Sequence, residues 1–356
     1  MDFASDNAAG ASKPILEALL ATNDEFCPAY GADRHTAEAE RALSAVFERD
    51  VASFLVATGT GANALALGAI TPPWGAVFCH AHAHIIDDEC GAPEMFSGGA
   101  KLVGIPGAIA KITPAALRDT LVRFPRGLVK QVQPAALCLS QATECGTIYS
   151  CAEIAELASI AHEAGVAVHM DGARFANSLV ALGCSPAEMT WKAGVDVLSF
   201  GATKNGTLAC EAVVFFDRQR AADFAYQRKR GGHTLSKGRF LGVQICAYLN
   251  NGHWLDLARH ANASAAQLEE GLRRVSGVRL PWPRQINELF AILPKRADAA
   301  LKVAGARYYD WGARSLTAEE APTNDEVFVR LISSFATKSA DIDRFVAIVA
   351  ESAIAA

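Results

Sequence analysis

The run Ser199-Phe-Gly-Ala-Thr-Lys-Asn-Gly-Thr207 sets a single lysine, Lys204, among small residues directly behind an apolar segment, VDVLSF. Lysine is seldom fully buried without a partner, and an amine drawn out of water is suited to nucleophilic or Schiff-base chemistry. Three further segments offer matching chemistry. Val168-His-Met-Asp-Gly-Ala-Arg174 ends an apolar run on Asp171. A carboxylate withdrawn from water takes up a proton unless a cation or donor faces it, and Arg174, three residues on, is the plain structural candidate for that partner. Thr58-Gly-Thr-Gly-Ala-Asn63 leads into the apolar run ALALGA, so the free amides and dipole of a helix start could hold a phosphate there. The same residues also fit a tight turn, and they lack the lysine of GxxxxGK[ST] and the third glycine of GxGxxG. Finally, CHAHAHIIDDE carries His80, His82 and His84 at alternate positions, which share one face if the segment is a strand. Two of them with Asp171 could bind zinc in a metal-dependent hydrolase; alternatively, one imidazole stacks on a planar cofactor.

These residues need a scaffold, and the chain supplies alternating elements. Apolar runs at 51–58, 76–82, 100–106, 135–143, 166–173, 195–202 and 211–217 read as seven buried strands. Between several of them apolar residues recur at helical spacing, as in Ala152 to Ala161, with Ser150 placed to cap that helix. Strand, helix and strand in succession predict an α/β sheet covered on both faces. In such sheets ligands gather at the carboxyl ends of the strands, where Thr58, the histidines, Asp171 and Lys204 all fall. A phosphate cradle, a ring stacker, a buried carboxylate and an amine are together the four contacts that pyridoxal 5′-phosphate (PLP) requires. The amine binds the aldehyde, and a carboxylate facing the pyridine nitrogen keeps it protonated, which makes the ring an electron sink.

Beyond residue 245 the texture changes: a helical stretch from Trp254 to Leu272, then VRLPWP, ELFAILP, ARYYDWG, VFVRLISSF and a closing helix from about Asp341. The division expected is a large domain over 1–245 and a small α+β domain over 246–356. The 356 residues are 51% apolar and 20% charged with a net charge of −5, which offers no basic footprint for nucleic acid. Nine cysteines without a CxxC pair, mostly in apolar runs, suit a reducing cytoplasm. MDFASDNAAG is acidic, and no stretch is apolar enough to span a bilayer, so secretion and membrane insertion are not expected.

With these blocks in view the sequence resembles the threonine aldolases of fold-type I PLP enzymes, in the branch with the β-eliminating lyases. The segments that carry the likeness are SDNAAGAS, YGAD (30–33), TGTGAN (58–63), AHIIDDECGAPE (83–94), QATECGT (141–147), HMDGARFAN (169–177), SFGATKNG (199–206) and FVRLISSFAT (328–337). The resemblance is to low-specificity L-threonine and phenylserine aldolases. It implies a mostly parallel seven-stranded sheet and a carbon–carbon lyase that cleaves β-hydroxy-α-amino acids to glycine and an aldehyde. It further implies that Lys204 is the Schiff-base lysine, that Asp171 pairs with the pyridine nitrogen, that His84 stacks on the ring, and that Gly59 and Thr60 bind phosphate. Arg174 is implied near the ring hydroxyl and the substrate carboxylate, with Ser5 and Arg330 clasping that carboxylate. Glu89 is implied beside the substrate. Tyr30 and a basic residue of 228–239 are implied to reach a neighbouring subunit's site in a homotetramer, a dimer of dimers. Glu144 stands where many members have a histidine near the β-hydroxyl, which leaves Glu144, Glu89, His84 or a held water as the proton carrier. Aminotransfer and β-elimination are the alternative reactions on the same framework.

Overall fold

The apolar runs form strands because β-branched and aromatic residues pack well on both faces of a covered sheet. The computed structural model describes residues 1–354 and holds seven strands in one sheet: β1 (Ala52–Val56), β2 (Gly75–His80), β3 (Lys101–Ile105), β4 (Gln133–Ser140), β5 (Ala167–Gly172), β6 (Val197–Phe200) and β7 (Glu211–Phe215). Their order is β1-β7-β6-β5-β4-β2-β3. The pairs from β3 to β6 are parallel and β7 runs antiparallel to both neighbours. Every residue of β2, β5, β6 and β7 is buried, as helices on both faces require.

Chain order reverses between β2 and β4, since β3 lies outside β2 and β4 inside it. A crevice opens at such a switch point, at the carboxyl ends of the strands. The register there sets Ser140 beside Asp171 and Asp171 beside Ser199, so three strand ends finish level. Ser150 caps the helix Cys151–Glu163 as its position predicts, and Glu153 completes a capping box that satisfies two otherwise orphaned amides.

Three antiparallel strands, β8 (Glu288–Pro294), β9 (Tyr309–Asp310) and β10 (Glu326–Ile332), form a second sheet with β10 central. It packs under the helix Ser339–Ile354 through Phe345 and Val349, in a cluster that also holds Phe3. Two features bear on the division expected at 245/246. The helix Arg239–Leu249 runs through that boundary and keeps Leu241, Ile245 and Tyr248 in the large core. Residues 1–3, assigned by sequence to the large domain, join the small sheet: Phe3 donates its amide to Arg307 and accepts from Ile332. The helix His253–Arg273 serves both units, with Trp254 and Ala258 in the large core and Leu268 and Leu272 in the small one. No polar linker marks the join because one continuous helix makes it.

His169 lies on the β5 face that also carries Asp171. Its Nδ1 is 3.1 Å from Cys138 Sγ and its Nε2 2.9 Å from Ser199 Oγ. Complete burial pushes its pKa down to about 4, against the pull of Asp171. Unfolding exposes the ring and restores an ordinary value near 6.5, so the unfolded chain binds the extra proton between these values. Stability is therefore fully present above pH 6.5 and lost as pH falls toward 4, by about 3 kcal/mol. Urea titrations at pH 7 and pH 4 should show this loss, and His169→Gln should remove about that much of the difference.

Candidate active site

Lys204 sits in a single turn after β6, Thr203–Asn205, and this turn is pinned from three sides. Glu211 accepts the Ala202 amide at 2.6 Å. The Asn205 amide donates to the Tyr248 hydroxyl and the Trp254 carbonyl, and Thr203 Oγ1 donates to the Cys210 carbonyl. Gly206 closes the turn at φ +108, where an added Cβ would meet Leu257 at 2.9 Å, so only glycine fits without strain. The amine faces a cavity of about 1020 Å³ and is half-buried rather than sealed.

Adjacent strand ends bring Asp171 to the same cavity. Its Oδ2 accepts from Asn63 Nδ2 at 2.8 Å and its Oδ1 from the Ala173 amide at 3.0 Å. Arg174 is not its partner, contrary to the plain structural candidate of the sequence. The side chain turns instead to Asp6, with Nε to Oδ2 at 2.7 Å and Nη2 to Oδ1 at 3.1 Å, and to Glu288 at 3.2 Å. Both carboxylates are almost fully buried, and the two-pronged bond to Asp6 is the strongest geometry open to a guanidinium. Burial works against the charges of Asp6 and Arg174. Their mutual attraction outweighs it: the Asp6 carboxyl is held below its ordinary range and the Arg174 guanidinium above its own.

The histidine run does not present three rings on one strand face. β2 ends at His80 and a helical turn begins at His84, so the alternate spacing loses its meaning. His80 turns to the Gly107 carbonyl at 3.0 Å and His82 to Asp87 at 3.4 Å, and His82 and His84 both line the cavity. His84 Nδ1 is 2.9 Å from Glu89 Oε1, and that bond raises the imidazole pKa against burial. Burial raises the Glu89 carboxyl against the bonds from His84 and Asn63. Asn63 thus bridges Glu89 and Asp171. Its role was missed from sequence although the residue closes the TGTGAN block; an amide on the buried face of a helix is the signal that could have found it.

Thr58 caps the twelve-residue helix Gly59–Ile70 by accepting the Gly61 amide at 3.0 Å. Gly59 and Thr60 line the cavity, and nothing lies within 4 Å of where a Gly59 Cβ would stand. Ser5 lines the cavity too, as do Arg330, Glu288 and Trp311 from the small unit. The Arg330 guanidinium stacks on Trp311 at 4.1 Å and its buried Nε has no partner. Burial lowers its pKa, opposed by Glu288 and reinforced by Arg174, which suits it to an anionic ligand. Tyr30 is not among the cavity residues. It is exposed in a separate crevice with Arg228 and His233.

The chain's own residues fit PLP. A helix start with open space at Gly59, a carboxylate fixed by an asparagine, an imidazole over the same cavity and a half-buried amine converge there. Asn63 Oδ1, Glu89 Oε2, Glu144 Oε2 and Arg330 Nε are buried and unpartnered at its walls, and buried polar groups without partners await a ligand or water.

The strand order with its switch point and the cavity residues define a fold-type I PLP enzyme. A Sphingomonas wittichii serine palmitoyltransferase shares the fold, 15% identical at a TM-score of 0.69 over 100% of this chain and 87% of that one. The chain belongs to the β-eliminating lyase family, whose profile matches residues 2–294. A low-specificity L-threonine aldolase of Pseudomonas aeruginosa is 43% identical over 86% of this chain and 88% of that protein. A Leishmania major threonine aldolase structure superposes at a TM-score of 0.90 with 28% identity, covering 98% of both chains. The Pseudomonas and Leishmania proteins are named as threonine aldolases, which leaves aminotransfer, β-elimination and metal-dependent hydrolysis unfavoured. Among the described residues no helix is long and apolar enough to cross a membrane.

Proposed function

We propose that the protein is a PLP-dependent aldolase that cleaves L-threonine, L-allo-threonine or related β-hydroxy-α-amino acids such as phenylserine to glycine and an aldehyde. The observation that carries this reading is the convergence of Lys204, Asp171, His84 and the Gly59–Thr60 helix start on one cavity. Lys204 would hold the cofactor through its amine, Gly59 and Thr60 its phosphate, Asp171 its ring nitrogen and His84 its face. PLP, when bound, supplies a sink for the electrons of the bond broken at Cα.

The chain's residues do the rest. Arg330 and Ser5 would anchor the substrate carboxylate, with Arg174 beside them, and this grip would hold the Cα–Cβ bond perpendicular to the plane of a bound cofactor ring. Orientation selects the bond that breaks. Glu89 holds the His84 ring in place through its 2.9 Å bond. Lys204 Nζ, which lines the same cavity, would be placed to carry protons near Cα. We further infer a homotetramer, a dimer of dimers in the cytoplasm, in which Tyr30 and a basic residue of 228–239 complete a neighbouring subunit's site. The exposed position of Tyr30 outside its own chain's cavity supports that reading.

Incubating the PLP-loaded protein with L-threonine should yield acetaldehyde and glycine in equal amounts, read by alcohol dehydrogenase coupling and amino-acid analysis. Comparing threonine, allo-threonine and phenylserine by kcat/KM fixes the aldehyde preference. Absence of aldehyde from all three substrates would refute the proposal.

A further inference from the structure

Most carboxylates around the cavity are already committed. Asp171 is held by Asn63 and Ala173, Glu288 faces Arg174, and Glu211 accepts the Ala202 amide. The Glu89 side chain has no exposure, and its Oε1 is shared between His84 and Asn63. Asp87 pairs with His82 and Arg314 at the exposed rim, next to exposed Asp88. Glu144 shares a buried, unpartnered Oε2 with Glu89, but unlike Glu89 it has no imidazole on its other oxygen. Its Oε1 accepts the His84 amide at 2.8 Å and the Ser140 hydroxyl at 2.9 Å, which fixes the side chain. Its Oε2 is buried at the cavity wall with no partner, and no cation pairs with it among the described residues.

The topology gives that oxygen a place. His84 follows β2, Glu144 follows β4, Asp171 lies at the end of β5 and Lys204 follows β6, in spatial order across the sheet. Strands lie about 4.8 Å apart, so the Glu144 and Lys204 backbones stand on opposite flanks of Asp171. An amine that serves Cα from one flank leaves the other flank for the β-substituent.

We propose that Glu144 is the proton-transfer group of the carbon–carbon cleavage: Oε2 takes the proton of the substrate β-hydroxyl as the Cα–Cβ bond breaks and the oxygen becomes the aldehyde carbonyl. Run in reverse, Glu144 returns that proton to the new hydroxyl. This role rests on the aldolase reading above. Burial pushes the Glu144 carboxyl up to about 7, against the amides and the Ser140 hydroxyl that favour its charge, with Asp171 adding to the rise. A base poised there exchanges protons readily at neutral pH. The other groups facing it are the Cys79, Cys138 and Cys145 thiols and the Tyr149 hydroxyl, all pushed up by burial, together with Asp171 and the His84 ring. Of these, His84 is the one that can also titrate near neutrality.

The test uses the PLP-loaded enzyme and Glu144→Gln. Cleavage requires loss of the β-hydroxyl proton, whereas exchange of the glycine α-proton in D2O, followed by NMR, requires the cofactor site but has no β-hydroxyl. Glu144→Gln should lower kcat/KM for L-threonine by about 10²–10⁴ and abolish the fall in rate below pH 7, while glycine exchange stays within a few-fold of wild type. Difference infrared spectroscopy should show a carboxyl titrating near pH 7 in the wild type and not in Glu144→Gln. Glu144→Asp, with its carboxylate set back, should keep the pH limb at reduced rate. Retained cleavage with an unchanged pH limb, or equal loss of cleavage and exchange, overturns the role of Glu144 alone. A wild-type enzyme inert in both assays overturns the aldolase reading and this role together.

Discussion

Replacing Lys204 with alanine is expected to reduce threonine cleavage by more than about 10⁴-fold, because the variant loses both the covalent hold on the cofactor and a proton carrier, the latter alone contributing roughly 10²–10⁴. The turn that carries the residue is fixed by backbone and neighbours, namely Glu211, Asn205 and Gly206, and the lysine side chain is not among its supports. The variant should therefore fold with wild-type thermal stability. Borohydride reduction of the wild-type holoenzyme followed by peptide mapping should put the pyridoxyl label on Lys204. A label elsewhere, or cleavage by Lys204→Ala within tenfold of wild type, would sink the assignment.

Arg174→Met should be the most destabilising single change at the site. Arg174 is the only ion-pair partner of Asp6 and Glu288 among the described salt bridges, and both acids are almost wholly buried. Removing one partner of a buried pair leaves an uncompensated charge and typically costs about 3–5 kcal/mol. The triple variant Arg174→Met, Asp6→Asn, Glu288→Gln should recover most of that loss, since the neutral amides need no cation. Denaturant midpoints of the single and triple variants measure the difference; equal midpoints would show that the pairing does not hold this corner together. Neither variant should bind substrate carboxylate normally, so stability and KM separate the two roles of the residue.

Much of this site was readable before folding was considered, for a local reason. Lys204 and Asp171 each follow an apolar run, and a charged residue at the end of a buried strand has few places to be except a crevice. The seven runs correspond to the seven strands of the large sheet. Local patterns fail where the partner is remote. Asn63 meets Asp171 across 108 positions and Arg174 meets Asp6 across 168, and no periodicity encodes such pairings. The histidines were misread because alternate spacing has meaning only while the strand continues, and β2 stops at His80. A domain join has no local signal for a related reason: helical apolar spacing runs unbroken through residue 245, and the exchange of Phe3 into the small sheet is a long-range event.

That exchange sets an order of events during folding. Phe3 pairs its backbone with Arg307 and Ile332, so it is fully anchored only once the small sheet has formed, whereas Asp6 is held by Arg174 and Asn287. Contacts of such wide separation form late. Until β10 docks, Lys204 and Asp171 already stand on the large sheet while the Arg330 wall of the cavity is missing, so the cavity closes last on the side of the small unit.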